Sequence, residues 1–135
     1  MGDESAAGAV AETMHAINQA WLEQRVDDMA PALDPDIVMV FPGFSGRMQG
    51  REPLLAGFRD FVQNATIHEF HGRGQQIDVV GDTAVVTFPY EMLYSRSGER
   101  YRATGRDLWI FRKRASAWVA VWRTMMDLSE SPASP

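Results

Sequence analysis

The sequence predicts an α+β domain, and three observations predict it. Apolar residues recur at helical spacing only in the first half of the 135-residue chain. From residue 66 onward they alternate, or run in short stretches of the kind strands use. The last three of these stretches are separated only by turn signals, so they form an antiparallel meander with the helices on one face of the sheet.

Residues 6–24, AAGAVAETMHAINQAWLEQ, set Val10, Met14, Ile17 and Trp21 four, three and four residues apart, an apolar stripe on one helix face. A second, short helix is predicted over 27–33, with Asp27 as its N-cap. PDIVMVFPG (35–43) reads as a strand stopped by Pro42-Gly43. The third helix is GREPLLAGFRDFVQNA (50–65). Pro53 suits its first turn, and Leu54, Leu55, Phe58, Phe61 and Val62 make its buried face. TIHEFHGRGQQIDVV (66–80) ends at Gly81-Asp82, and TAVVTFPYEMLYSR (83–96) ends at Ser97-Gly98. ERYRATGRDLWIFRK (99–113) and AWVAVWRTMMDL (117–128) complete the sheet. One domain over 6–128 is expected, with 1–5 and the Pro- and Ser-containing 129–135 as disordered ends.

Composition excludes several functions. At 45% hydrophobic and 23% charged, the chain has an ordinary globular balance. A net charge of −5 argues against nucleic acid or an anionic membrane as partner. With no cysteine there is no disulfide, no Cys-ligated zinc and no thiol nucleophile. His15, His68 and His71 form no H-x-x-x-H pair and no acidic calcium loop is present, so neither a metal nor a cofactor is expected. The segment MGDESAAGAV lacks the basic and apolar parts of a secretory signal, and Ala6 breaks the myristoylation pattern. No stretch approaches the ~18 apolar residues of a membrane span, so a cytoplasmic protein is expected.

The segment TGRDLWIFRKR (104–114) raises the chemical question. Strand alternation puts Asp107 on the same face as Trp109 and Phe111. A carboxylate buried without a partner costs several kcal/mol or takes up a proton. Three readings stand: an ion pair with a neighbouring strand's arginine, a pocket acid that touches a ligand, or an exposed acid. Arg123 on the next strand is the natural partner, and a pair at an apolar pocket's mouth would also anchor a ligand carbonyl or carboxylate.

The stretches FPG (41–43), GREPLLAGFRD (50–60), VVGDTAVVTF (79–88), GRDLWIFRK (105–113) and AWVAV (117–121) carry a resemblance. Over about residues 6–128 the chain resembles the SnoaL-like branch of the nuclear transport factor 2-like superfamily. The resemblance implies a cone-shaped, curved antiparallel sheet wrapped around three N-terminal helices, a cystatin-like α+β barrel. It also implies a pocket at the open end and a homodimer through the outer, convex sheet face. Members include isomerases, cyclases, dehydratases, hydrolases and non-catalytic association domains, so the fold alone does not name a reaction. FPYEM (88–92) and GREPLLAGFRD are similar to segments of ketosteroid isomerase. That enzyme's oxyanion-hole acid falls on Asp107, its general-base aspartate on Phe41, and its oxyanion-hole tyrosine on Gln19. Phenylalanine accepts no proton, so the isomerase mechanism does not transfer as it stands.

The comparison turns His68 and Phe70, Phe88, Tyr90 and Met92, Asp107 and Trp109, and Val121, Arg123 and Met125 toward the cone. Asp107, His68 and Tyr90 are the expected acid/base groups. Arg123, Trp109, Phe41, Phe58, Phe88, Met92, Met125 and Gln19 are the expected ligand-contacting residues, with Met39 a further wall residue. Each has a plainer reading: a histidine on a strand is usually structural, a buried tyrosine usually packs, and wall aromatics are usually core. Trp118 and Trp122 are expected on the outer face, as part of the dimer interface. The function expected is binding of a small, largely apolar organic molecule, with isomerase, cyclase or lyase-type proton transfer. The alternative is a non-catalytic ligand-binding or association domain.

Overall fold

The stripe Val10, Met14, Ile17 and Trp21 lies along helix α1 (Gly2–Leu22) and is buried along its length. The computed structural model describes residues 2–133, with side chains from Glu4 onward. A 3₁₀ segment follows at Val26–Ala32, tightened around Pro31; a proline inside a helix supplies no N–H donor, which works against a longer α-helix. Asp27 is not its N-cap: that position is Arg25, and the Asp27 carboxylate instead accepts from Arg59 at 2.6 and 3.0 Å.

Strand β1 (Leu33–Val40) pairs with a three-residue strand, β2 (Arg47–Gln49), which no sequence pattern marks. Helix α2 (Arg51–Asn64) begins after Gly50, whose φ of 114° suits glycine alone. It buries Leu54 and Leu55 and packs Phe58, Phe61 and Val62 against the core. The run 66–80 divides at Gly74 into β3 (Thr66–Gly72) and β4 (Gln76–Val80). Both pair with the long β5 (Thr83–Arg96), β4 with its first half and β3 with its second. The antiparallel meander continues through β6 (Glu99–Arg114) and β7 (Ala117–Pro132).

The sheet is open and curved, in the order β2-β1-β7-β6-β5-β3, with α1 and α2 on its concave side. It is mixed and not wholly antiparallel, because β1 runs parallel to β7. The meander constrains only consecutive strands; β1 reaches β7 after the whole fold has intervened, and short turns no longer dictate its direction. The ends also differ from expectation. Helix α1 starts at Gly2, and Ser129–Pro132 pair with Tyr101–Thr104 of β6. Backbone groups on β6 need partners whatever the composition of the strand that supplies them. Met1, Ser134 and Pro135 lie outside the described residues.

The narrow end of the cone is filled by Trp109, Phe88, Phe111, Val86 and Met14, all at most 2% exposed. The wider end is not filled, and there the polar side chains gather.

Candidate functional site

A cavity of about 600 Å³ opens between α1, α2 and the concave face of the sheet. Its walls include the aromatics Trp21, Phe58, Phe61 and Phe70 and the methionines Met39, Met48, Met92 and Met125. The Trp21 ring meets Phe70 edge-on at 5.3 Å and Phe58 at 5.8 Å, so aromatic contacts fix this wall.

Asp107 stands at the floor. Its neighbours across the ladder are Phe88 and Met125, and its side chain is 6% exposed. Arg123 faces Trp109 in register, two positions along, and reaches diagonally to the acid. Nε donates to Asp107 Oδ1 at 3.0 Å and Nη2 to Oδ2 at 3.2 Å, a two-point grip. On its way the guanidinium passes 4.7 Å from the Trp109 ring centroid and 5.2 Å from that of Phe58. Arginine suits this place because a flat, always charged group can stack and bridge at once. Nη1 makes no hydrogen bond among the described residues and belongs to a side chain that lines the cavity.

Tyr90 stands beside this pair. Its ring stacks on Phe70, and its hydroxyl donates weakly to Met125 Sδ at 3.8 Å. Gly105, its cross-strand neighbour, makes room for it. A Cβ there would lie 2.7 Å from the Tyr90 hydroxyl and 2.7 Å from Leu128. Burial pushes the Tyr90 hydroxyl's pKa up, the Asp107 charge adds to this, and Arg123 partly offsets it. Tyr90 is thereby a hydrogen-bond donor at neutral pH.

The other expected residues divide. Phe41, Phe58, Met92 and Met125 line the cavity, with Phe41 at its edge and 39% exposed. Trp109 does not line it. It is fully buried beneath Arg123, and its Nε1 has no partner among the described residues. Phe88 is likewise core, because it belongs to the filled end of the cone. Gln19 points away, donating to Glu23 on the same helix at 2.8 Å. It precedes Trp21 by two residues, about 200° around the helix, so both cannot face the cavity.

His68 is also outside. It is exposed on β3, with Nε2 2.7 Å from Ser95 Oγ. A bulge explains this: Ile67 opposes Tyr94 and Glu69 opposes Leu93, so His68 has no cross-strand partner. The inward residues of β3 are therefore Ile67 and Phe70, three apart. A second bulge acts on β7, where Phe111 opposes Ala120 but Ile110 opposes Trp122. The extra residue, Val121, turns outward-reading Trp118 into the core at 6% exposure. Trp122 remains on the outer face, half-buried, in register with Ile110 and Val38.

Sequence reasoning missed the mouth of the cavity. Tyr94 and Arg96 continue the inward parity of Phe88, Tyr90 and Met92, a signal the sequence held. Glu130 accepts a short hydrogen bond from the Tyr94 hydroxyl and lines the cavity from a segment expected to be tail. The Tyr94 hydroxyl is pushed up to about 12, first by burial and then by the hydrogen bond to Glu130.

Comparison with known proteins agrees with this fold. The sequence profile of the SnoaL-like domain matches residues 14–124. No curated protein matches the chain significantly. A conserved protein from Planctomyces limnophilus superposes with a TM-score of 0.81 at 17% identity, over 96% of this chain and 99% of that one. A ketosteroid isomerase-like protein from Erwinia carotovora atroseptica gives 0.74 at 16% identity, over 96% and 97%. A hexachlorocyclohexane dehydrochlorinase, LinA type 2, gives 0.76 at 13% identity, over 96% and 90%. At these identities the likeness is one of fold.

Proposed function

The chain belongs to the SnoaL-like domain family, and from there we propose that it binds a small, largely apolar organic molecule in the cone cavity and acts on it by proton transfer. The reaction is of the isomerase, cyclase or lyase kind. The observation that carries this reading is the Asp107–Arg123 pair, set in an otherwise aromatic and methionine-lined cavity. Apolar walls bind the body of a ligand, while a few convergent polar groups orient it. A carbonyl or similar acceptor at the floor receives hydrogen bonds from Arg123 Nη1 and the Tyr90 hydroxyl, which stabilise negative charge as it develops there. Asp107 accepts and returns the proton, with Arg123 holding the carboxylate in position. The names of two structural neighbours, a ketosteroid isomerase-like protein and a dehydrochlorinase, support isomerisation or elimination chemistry.

The test uses Gly57, which lines the cavity and where an added Cβ meets nothing within 4 Å. The neutral fluorophore N-phenyl-1-naphthylamine is expected to bind the native protein and to be excluded by Gly57→Leu, with the far-UV circular dichroism unchanged. Equal binding by both proteins, or by neither, overturns the reading. Proton transfer is read as deuterium uptake from solvent into a panel of cyclic enones, lost in Asp107→Asn. No uptake with any bound enone removes the catalytic half.

A non-catalytic ligand-binding or association domain is the second reading, favoured by Phe41. It stands at the cavity's edge, where the isomerase comparison calls for a base. In either reading the protein is cytoplasmic, in keeping with its acidic, cysteine-free composition. We further propose a homodimer through the convex face, around Trp122, Ile110 and Leu108, whose half-buried apolar side chains make a patch there. Trp122→Arg is expected to give a monomer in sedimentation at micromolar concentration; a native protein that is itself monomeric refutes this.

A further inference from the structure

A second concavity, of about 690 Å³, adjoins the cavity's mouth, and its lining is polar: Asn64, Thr66, Ser95 and Ser97, with Arg59 and Asp27. Among the described residues, Arg96 alone lines both this cleft and the apolar cavity. It is thus the point at which an apolar space meets a polar one.

The charges in the cleft are two arginines and one aspartate. Asp27 is engaged by Arg59, through Oδ1 at 3.0 and 2.6 Å. Arg96 has no carboxylate within 4.0 Å among the described residues. The guanidinium is nonetheless held in place, 5.6 Å from the Tyr94 ring centroid and 6.0 Å from that of Phe61. Such contacts engage no N–H, and no hydrogen bond from the Arg96 side chain is made among the described residues, so its donors are left for an acceptor. Glu130 forms no ion pair with it: that carboxylate accepts from Tyr94 and lines the apolar cavity but not the polar cleft. Glu99, the cross-strand neighbour of Arg96, makes no ion pair with it either, so in a chain of net charge −5 the guanidinium at the junction of the two spaces has no carboxylate in salt-bridge contact among the described residues.

We infer that the ligand is an amphipathic organic anion. Its apolar body occupies the cavity, and its anionic head, a carboxylate, sulfonate or phosphate, meets Arg96 at the polar cleft. This rests on the cavity-binding reading above and adds a charge requirement to it. The geometry favours such a molecule because one side chain can contact both of its parts. An acid group at that end gains a charge-assisted hydrogen bond that a neutral analogue cannot make.

Two fluorophores that share one ring system separate the inference from the reading beneath it. 8-Anilinonaphthalene-1-sulfonate carries the anion, and N-phenyl-1-naphthylamine lacks it. Arg96→Gln is expected to weaken the sulfonate by about tenfold and to leave the neutral probe within about twofold. Arg102→Gln makes the same charge change on the outer face, where Arg102 pairs with Glu91, and is expected to alter neither. If Arg96→Gln leaves the sulfonate unchanged, or weakens it no more than Arg102→Gln does, the charge requirement is wrong while the cavity reading stands. If the native protein binds neither probe, the cavity reading falls and the inference falls with it.

Discussion

The cavity has an acid and an arginine at its floor and another acid and arginine at its mouth, and the two sets behave differently. Asp107 and Arg123 are 6% and 11% exposed and grip one another at two points. Glu130 and Arg96 are exposed, and they do not pair with each other. Where water is excluded, an unmet charge is expensive, so the floor charges are committed to each other and fixed in direction. Where water is present, charges can stay unpaired at little cost, and they remain available to a ligand. Residue type does not separate an anchor from a recruiting charge here; burial does.

Three experiments break or sharpen that contrast. The largest effect is expected from Asp107→Ala, which leaves Arg123 charged, buried and without its partner. Urea unfolding should show a loss of about 3–5 kcal/mol. A loss below ~1 kcal/mol would mean that water already reaches the floor, and the two regions would then differ only in name.

An intermediate effect is expected from exchanging each arginine for lysine. Arg123→Lys keeps the charge but gives up the flat contacts with Trp109 and Phe58 and the two-point grip, at a cost of about 2 kcal/mol. Arg96→Lys, stacked at an exposed site, should cost no more than ~1 kcal/mol. Equal costs would show that stacking, and not burial, sets the strength of both.

The smallest effect is alkaline. The Tyr94 hydroxyl is raised from 10.0 to about 12, so the folded state holds that proton more tightly than the unfolded chain does. Its contribution to stability is complete below pH 10 and is lost as the pH rises through about 12. Glu130→Gln, which removes the nearby negative charge, should lower the Tyr94 titration, as read from tyrosinate absorbance, and cost under ~1 kcal/mol at neutral pH. A titration unmoved by the substitution would assign the whole shift to burial and detach Glu130 from the site.

Much of this was legible from the chain alone where local rules suffice. The α1 stripe of Val10, Met14, Ile17 and Trp21 is a matter of helical period. The inward turn of Asp107, Trp109 and Phe111 is a matter of strand alternation. Arg123 followed because a buried acid requires compensation and the adjacent strand supplied one cation at the right height. The same alternation failed for His68 and Trp118. In each case one extra residue, His68 itself and Val121, was accommodated opposite no partner, and every side chain beyond it changed face.

The residues by themselves determined the two long helices, the runs of the long strands as far as residue 128, the apolar faces wherever no bulge intervenes, and that Asp107 needs a partner. Each of those depends on the covalent period of the backbone or on the cost of leaving a charge unmet, and both act over a few residues. Only the tertiary structure decided that β1 runs parallel to β7, that Ser129–Pro132 form a strand, that Glu130 meets Tyr94, and that Arg96 lies between two cavities. Those outcomes depend on which distant backbone groups remain to be paired and on where a curved sheet absorbs an extra residue. No local pattern encodes either one, because both are settled between strands and not along them.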